Sequence, residues 1–257
     1  MILSIYFHNP TLTGFKRIVK MLSLLRFSFI SLEELLLQVE SESFVQGRQV
    51  FLSFDDGWNG NLRLLPLLEQ YHIPVTIFVA VNPVLNGNFW WEYVRCDMGH
   101  RQLQELKQGS YEELLKQIEE SKSRHLLSRS AIDLAQLKLL SQSSMVTIGS
   151  HTMSHPLLNR IADSQLEQEL SESKKVLHDV TGEDIRGFSY PNGNYAKREV
   201  DAVKCYYDCA FTTVADYISP GDSPYELPRI CLTGNLVKDI LKICRIWPWL
   251  KKFADRF

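Results

Sequence analysis

The sequence VFLSFDDG, residues 50–57, is an apolar run of β-branched and aromatic residues that ends in two adjacent carboxylates and a glycine. Such a run predicts a β-strand followed by a turn. Six further runs predict strands, at residues 2–7, 75–80, 145–149, 187–190, 209–213 and 228–232. Amphipathic stretches between them, such as residues 163–180, predict helices. Because strands and helices alternate along the chain, we expect an α/β fold, a deformed (β/α) barrel of about seven strands.

The domain organisation follows from what separates the predicted strands. No stretch rich in Pro, Gly or Ser divides the chain, so we expect residues 1–257 to form one domain. The longest gap between strands, about residues 83–144, is mostly helical and charged and predicts a helical insertion on the barrel. Residues 235–257 mix large apolar residues with six basic and two acidic ones, a net charge of +4. This composition is typical of an amphipathic helix at a membrane surface, although a terminal helix packed on the barrel would show it too.

Charge and composition restrict the partners and the location. The chain has 28 basic and 30 acidic residues, and this balance excludes a global basic field for nucleic acid. The apolar run that follows Met1 is too short for the core of a signal peptide, and no window is apolar enough to predict a membrane span. We therefore expect a cytoplasmic protein with no nucleic-acid partner, which contacts the inner face of the membrane peripherally through residues 235–257.

Polar residues cluster at the carboxyl ends of the predicted strands. Parallel strands of a barrel end on one face, where active sites of such barrels lie. We therefore expect residues that are far apart in the sequence to converge in one cavity. They are His8 after the first strand, Asp55 and Asp56 after the second, His151 and His155 after the fourth, Asn192 after the fifth, and Arg229 in the last.

Two of these clusters predict a metal site when they are taken together. Alone, the Asp55-Asp56 pair could be a polar turn, and the histidines of HTMSH, residues 151–155, could lie on the surface. Two adjacent ionised carboxylates are costly unless a cation lies nearby. The i, i+4 spacing places both imidazoles on one side of a helix or tight loop. Two histidines and one carboxylate form the open ligand set of catalytic zinc and non-haem iron(II) sites.

Three motifs in this order resemble those of the polysaccharide deacetylases, the family-four carbohydrate esterases. They are SFDDG (53–57), GSHTMSHP (149–156) and FSYPNG (188–193), while FWWEY (89–93) and YELPRI (225–230) resemble the branch with a helical insertion and an LPR strand. The resemblance implies a metal-dependent hydrolase that removes N-acetyl groups from a saccharide, such as a cell-surface polysaccharide precursor or a lipid-linked sugar. It implies Asp55 as general base, and Asp56, His151 and His155 as ligands of one divalent metal, zinc or another divalent ion.

The third motif departs from the family pattern. The family usually carries an arginine that contacts the base and a tyrosine before the glycine, where this chain has Ser189 and Asn192. We expect the backbone N–H of Asn192 to face the oxyanion and Arg229 to supply the positive charge beside the base. The late Leu-His motif of the general acid is absent. In the LPR branch a histidine after the first strand can occupy equivalent space, so we expect His8 to be the acid.

Tyr190 of the third motif and Trp91 complete the expected substrate site. Trp91 could stack on a sugar face, although adjacent tryptophans such as Trp90 and Trp91 often divide between core and surface. Two other functions stay open. The altered third motif is compatible with a sugar-binding pseudoenzyme that keeps the metal site, and the same residues would serve a hydrolase of a non-sugar amide or an O-acetyl ester.

Overall fold

The computed structural model describes residues 1–232 and 236–243. The strands are β1 (Ile2–Phe7), β2 (Phe27–Ile30), β3 (Arg48–Asp56), β4 (Val75–Val79), β5 (Val146–Ser150), β6 (Gly187–Ser189), β7 (Cys209–Phe211) and β8 (Ile230–Cys231). The helices are α1 (Leu12–Leu24), α2 (Leu32–Glu40), α3 (Leu65–Tyr71), α4 (Val81–Asn86), α5 (Trp90–Gln108), α6 (Tyr111–Arg124), α7 (Leu134–Ser141), α8 (Asp163–Thr181), α9 (Lys197–Val203) and α10 (Leu236–Ile243).

Seven parallel strands form one continuous path in the order β7-β6-β5-β4-β3-β1-β8. The segment before β8 joins the two ends of this path. The N–H of Leu227 donates to the carbonyl of Ala210, and the N–H of Arg229 donates to that of Val214, both at 2.9 Å. The sheet therefore curls into a deformed barrel with helices around it, which confirms the predicted fold class.

One strand lies outside the predicted set. The short strand β2 pairs in parallel with the beginning of β3, with Phe27 opposite Arg48 and Ile30 opposite Phe51. The sequence FSFI lies between the apolar residues of α1 and α2. Four residues are too few to distinguish the periodicity of a strand from that of the flanking helices. Tertiary pairing therefore makes these residues a strand where the local sequence does not predict one.

The alternation of side chains along β3 places one carboxylate inside the barrel. Val50, Leu52 and Phe54 belong to the main core that lies beneath the surrounding helices. Phe51 belongs to a separate cluster, which fills the barrel interior together with residues of α2. Because successive side chains of a strand point to opposite faces, Asp55 continues the face of Phe51 and points into the barrel.

The helices α4 to α7 lie between β4 and β5, where the sequence predicts the insertion. The helices α5 and α6 pack against each other and share a small hydrophobic cluster that includes Trp91, Leu103 and Leu114. Gly99 interrupts α5 with φ 75° and ψ −179°, a conformation that glycine adopts at the lowest cost. The two halves of α5 therefore have different directions, and both reach the mouth of the barrel.

The predicted C-terminal segment is described only in part. Its helix α10 packs on the barrel, because the Tyr217 hydroxyl donates to the carbonyl of Ile243 and the Lys242 ammonium to that of Cys231, both at 2.7 Å. Residues 235 and 244–257, which include four of its six basic residues, lie outside the described residues. Within the described ranges, no helix has the length and the apolar character needed to cross a bilayer.

Candidate active site

The carboxyl ends of the strands surround a cavity of about 360 Å³. Most of the residues that the sequence singles out line this cavity. They are His8, Asp55, Asp56, Trp91, His151, His155, Tyr190 and Asn192. Arg229 does not line it, because its side chain is fully buried behind Asp55. Residues from five separated parts of the chain thus meet at one place.

Asp56, His151 and His155 form a buried group that could hold a metal ion. Asp56 Oδ1 lies 3.6 Å from His151 Nε2 and 3.5 Å from His155 Nε2. A tetrahedral metal about 2.1 Å from its nitrogen and oxygen ligands separates neighbouring ligand atoms by about 3.4 Å. The spacing of these atoms therefore fits one divalent cation.

Neighbouring groups orient these ligand atoms. His151 Nδ1 lies 2.7 Å from the carbonyl oxygen of Ser189, so Nδ1 carries the proton and the lone pair of Nε2 faces Asp56. The Trp58 indole N–H donates to Asp56 Oδ2 at 2.8 Å and leaves Oδ1 for the metal. Trp58 is not among the predicted site residues, and its position directly after the Asp-Asp-Gly turn is the sequence signal that could have indicated it.

The HTMSH motif is a tight loop and not a helix. Thr152 and His155 have φ values of 71° and 56°, in the left-handed region that non-glycine residues rarely adopt. The buried carboxylate of Glu169, on α8, accepts the N–H of Ser154 at 2.8 Å and also its hydroxyl. The Trp90 indole N–H donates to the His155 carbonyl at 3.0 Å. These contacts hold the loop in a conformation that costs about 1–3 kcal/mol per strained residue.

The electrostatic surroundings favour the metal-binding form of both imidazoles. Burial lowers the pKa of His151, although the charges of Asp55 and Asp56 oppose this shift. Burial lowers the pKa of His155 further, and the neighbouring His151 and Lys107 add to the shift. Both imidazoles are therefore neutral at neutral pH, with a nitrogen lone pair available to a metal.

Asp55 forms a buried bidentate ion pair with Arg229. One guanidinium nitrogen donates to Asp55 Oδ1 at 2.7 Å, and the other donates to Oδ2 at 2.9 Å. The same guanidinium also donates to the Ser189 hydroxyl at 2.7 Å. Burial raises the pKa of Asp55, but the charge of Arg229 and its hydrogen bonds outweigh this effect, so that the pKa lies below its ordinary value. Asp55 is therefore ionised at neutral pH.

The other predicted residues occupy different parts of the cavity. His8 is exposed at the rim, with its ring edge-on to Tyr6 at 5.7 Å. Trp91 is buried and packs on His155 with ring centroids 4.5 Å apart. Tyr190 is also buried, and its hydroxyl donates to the carbonyl of Tyr225 at 3.0 Å. Trp91 therefore supports the metal site directly, whereas the Tyr190 hydroxyl is engaged away from it.

Asn192 has a left-handed backbone with φ 56° and ψ 3°. Its side-chain oxygen accepts a hydrogen bond of 2.7 Å from the ammonium of Lys107, near the end of α5. The cavity is also lined by Tyr6, Arg95, Lys107 and Thr213, and none of these four residues was predicted. Arg95 and Lys107 lie in a charged helical stretch without any motif, so only their tertiary position reveals them.

The deformed barrel and its buried Asp-His-His group define a class of α/β barrel proteins with a candidate cation site at the carboxyl ends of the parallel strands. Residues 45–207 match the family model described as polysaccharide deacetylase. The chain therefore belongs to the polysaccharide deacetylase family. Membership implies a divalent metal, and the buried Asp56, His151 and His155 could bind one.

Similar proteins agree with this assignment. A curated Bacillus subtilis (strain 168) protein named "Putative polysaccharide deacetylase YxkH" is 24% identical over 189 residues, which cover 73% of this chain and 52% of that protein. The chain thus spans about half the length of this curated relative. Two solved structures share the fold at 18% identity. The Streptococcus pyogenes deacetylase PplD, in complex with acetate, has a TM-score of 0.68 over 93% of this chain and 97% of that one. IcaB from Ammonifex degensii has a TM-score of 0.72 over 93% and 94%.

Proposed function

We propose that this protein is a metal-dependent hydrolase that removes N-acetyl groups from a saccharide. The observation that carries this proposal is the juxtaposition of an ionised, arginine-paired Asp55 with the buried Asp56-His151-His155 group in one cavity. This arrangement offers a proton acceptor beside a cation site, which is what hydrolysis of an unreactive amide requires. The family and the deacetylase structural neighbours support the same reaction.

Different residues are assigned to different steps of the proposed hydrolysis. Asp56, His151 and His155 would hold a divalent cation, which would supply Lewis-acid chemistry for the acetamide carbonyl and for an attacking water. Asp55 accepts a proton from that water, and its two oxygens keep acceptor capacity beyond the two bonds from Arg229. Arg229 keeps the carboxylate ionised and fixes its orientation. Asp55 therefore enters the reaction already deprotonated and aimed into the cavity.

Asn192 and His8 would complete the reaction. As the carbonyl carbon becomes tetrahedral, its oxygen gains negative charge, and the Asn192 backbone N–H would donate to it, a contribution of about 3–4 kcal/mol for one such donor. The carbon–nitrogen bond breaks only when the amine is protonated, and His8 at the rim would donate that proton. The products are acetate and a free amino sugar.

The decisive experiment measures acetate release by metal-loaded protein. We expect Asp55→Asn to lose about 100-fold or more of the activity because a general base contributes about 10²–10⁴-fold. Its metal content should stay at the wild-type level, since Asp55 is not one of the proposed ligands. Asp184→Asn removes an exposed carboxylate outside the cavity and serves as the matched control. Acetate release at the wild-type rate by Asp55→Asn would contradict the assignment.

The same assay separates the alternative functions. The pseudoenzyme alternative rests on Ser189 and Asn192, which stand where the family usually has an arginine and a tyrosine, and on the absent late histidine. Arg229 places a guanidinium against the carboxylate of Asp55 from another strand, and this contact favours turnover. A pseudoenzyme would bind metal and acetylated saccharide without releasing acetate. A panel of N-acetylated oligosaccharides, O-acetyl sugars and small cyclic amides would identify the bond that is cleaved.

We also propose a cytoplasmic location with peripheral contact at the inner face of the membrane. The net charge of +4 in residues 235–257 supports attraction to anionic lipids. A lipid-linked sugar precursor would then be presented at the same surface. Flotation with anionic liposomes should recover the full chain and leave behind a chain that ends at Ile243, which keeps the packed helix α10. Equal flotation of the two chains would contradict the membrane contact.

A further inference from the structure

The helical insertion contributes two cations to the cavity. Arg95 and Lys107 both lie on α5, on either side of the break at Gly99, and both side chains line the cavity. Arg95 is exposed and Lys107 is half-buried. The pair therefore runs from the cavity wall toward solvent, which is the direction in which a saccharide larger than one sugar must extend.

Neither cation has an acidic partner in the described part of the chain. Within residues 1–232 and 236–243, neither Arg95 nor Lys107 forms an ion pair with a carboxylate. Lys107 donates to the neutral amide oxygen of Asn192 and lies 5.2 Å from the ring centroid of Trp90. A partly buried ammonium with only neutral contacts has lost hydration that an opposite charge has not replaced.

The acidic groups of the cavity are already engaged elsewhere. The carboxylate of Asp55 is paired with Arg229, and that of Asp56 belongs to the proposed metal site. Burial, together with the charge of Arg95, lowers the pKa of Lys107 to about 8, although the charge of Asp56 opposes this shift. A cation pair that the protein leaves uncompensated at the mouth of a site is typical of a binding site for an anion.

We propose that Arg95 and Lys107 form an anion-binding subsite and that the saccharide substrate carries a phosphate or carboxylate group near its acetamido sugar. This inference rests on the proposed function, because the subsite lies beside the proposed reaction centre. A neutral acetylated sugar would offer only hydroxyl and amide groups to these cations, whereas an anion would form charge-assisted hydrogen bonds with both.

The subsite can be tested by equilibrium binding, independently of turnover. Isothermal titration calorimetry with metal-loaded Asp55→Asn protein would compare four ligands. N-acetylglucosamine is neutral, its 1-phosphate and 6-phosphate carry a phosphate at two positions, and N-acetylmuramic acid carries a carboxylate on O3. We expect at least one anionic ligand to bind tenfold or more tightly than the neutral sugar. The identity of that ligand then shows whether the subsite prefers a phosphate or a carboxylate, and at which position of the sugar.

Variants then assign the preference to the two cations. In the same background, Lys107→Met and Arg95→Gln should each reduce the anion preference, and the double variant should abolish it. Arg101→Gln removes an equivalent charge from an exposed position on the same helix outside the cavity, and it should keep the preference. If no anionic ligand binds better than the neutral sugar, or if the preference survives in the double variant through direct metal binding, the subsite is refuted.

Kinetics on the active protein distinguish this role from a catalytic one. A subsite predicts that Lys107→Met raises KM for the anionic substrate more than KM for a neutral substrate, whereas Arg101→Gln, outside the cavity, leaves the activity on both substrates unchanged. If Lys107 instead stabilised the oxyanion, kcat would fall equally for both substrates, and that result would overturn the proposal. Anion preference in the binding assay without any acetate release by the wild type would refute the proposed function and leave the subsite standing.

Discussion

Replacement of Arg229 by methionine tests the electrostatic core of the site. The guanidinium is fully buried and donates to both oxygens of Asp55, to the hydroxyls of Ser53 and Ser189, and to the carbonyl of Thr212. Methionine fills most of the volume but provides no donor and no charge. The variant therefore leaves a buried carboxylate without its counter-charge.

The expected loss of stability is large for a single substitution. Removing one partner of a buried ion pair costs about 3–5 kcal/mol, since the remaining charge keeps its desolvation penalty. In the wild type the pKa of Asp55 is lowered by Arg229 against the effect of burial, so the pair stabilises the protein above the unfolded pKa of about 3.9. That stabilisation is lost as the pH falls through the lower folded value.

The pH dependence reverses sign in the variant. Without Arg229, burial is the largest influence on Asp55 and raises its pKa above the unfolded value. The ionised carboxylate then destabilises the fold at neutral pH, and this penalty shrinks as the pH falls toward about 4. The difference in unfolding free energy between wild type and Arg229→Met should therefore be smaller at pH 5 than at pH 7.5.

Urea unfolding of chelator-treated protein measures this difference without a contribution from bound metal. A double-mutant cycle with Asp55→Asn should show a coupling of about 2 kcal/mol, within the range for residues that share a network. Arg186→Met is the matched control, because its pair with Asp208 is partly exposed and should be worth about 0–1 kcal/mol. Adding Ser189→Arg to Arg229→Met should restore part of the stability and of the acetate release, since it returns a guanidinium to the neighbourhood of Asp55.

Two results would refute this reasoning. One is a loss of less than about 1 kcal/mol in Arg229→Met, no larger than that expected of the exposed control pair. The other is an additive cycle, in which Asp55→Asn costs as much in the presence of Arg229 as in its absence. Either result would mean that the bidentate contact does not determine the charge state of Asp55.

Three further predictions concern the metal loop and the barrel. Zinc should stabilise the wild type against thermal unfolding by about 2.7 kcal/mol at a metal concentration of 100 times Kd, and His151→Ala should lose this stabilisation. Stabilisation of the variant equal to that of the wild type would exclude His151 as a ligand. Glu169→Ala should weaken metal affinity by about 10–100-fold in a zinc titration because the loop loses its buried acceptor. Glu172 is exposed on the same helix, so Glu172→Ala should leave the affinity unchanged. Equal zinc affinities of the two variants would contradict a positioning role for Glu169. Gly149→Ala places a Cβ 2.5 Å from the Phe78 ring and should lower the free energy of unfolding in urea by about 1–3 kcal/mol. Adding Phe78→Leu should restore part of this stability. Full wild-type stability of Gly149→Ala would contradict the close packing of β4 and β5.

Much of the fold follows from local patterns in the sequence. Apolar runs such as residues 50–54 are buried strands because a parallel sheet covered by helices requires apolar side chains on both faces. The helix at Asp163–Thr181 follows from the spacing of its leucines, and the structure begins and ends it within one residue of the predicted range. The strand β2 does not follow from local patterns. Its pairing with β3 is a long-range contact, and the sequence of its four residues does not indicate that contact.

The candidate site likewise combines residues that the sequence predicts with contacts that only the tertiary structure shows. Asp55, Asp56, His151 and His155 stand out in the sequence because their spacing is local, and the polarity of parallel strands brings them to one face. The sequence also suggested Arg229 as the positive charge beside Asp55, but not the bidentate geometry or the complete burial of its side chain. Those properties depend on the way in which β3 and the segment before β8 meet.

Residue type and short-range spacing therefore predicted the barrel and a metal site of two histidines and one carboxylate, and the family resemblance distinguished Asp56 as the candidate ligand from Asp55 as the candidate base. The tertiary structure alone revealed that Lys107 contacts Asn192, 85 residues away, and that Arg95 shares the cavity with it. It also set the contacts between Arg229 and Asp55, which are 174 residues apart. The physical reason is that a charged residue in a helix has the same local pattern whether it faces solvent or a cavity. Only packing of the insertion against the barrel mouth distinguishes the two.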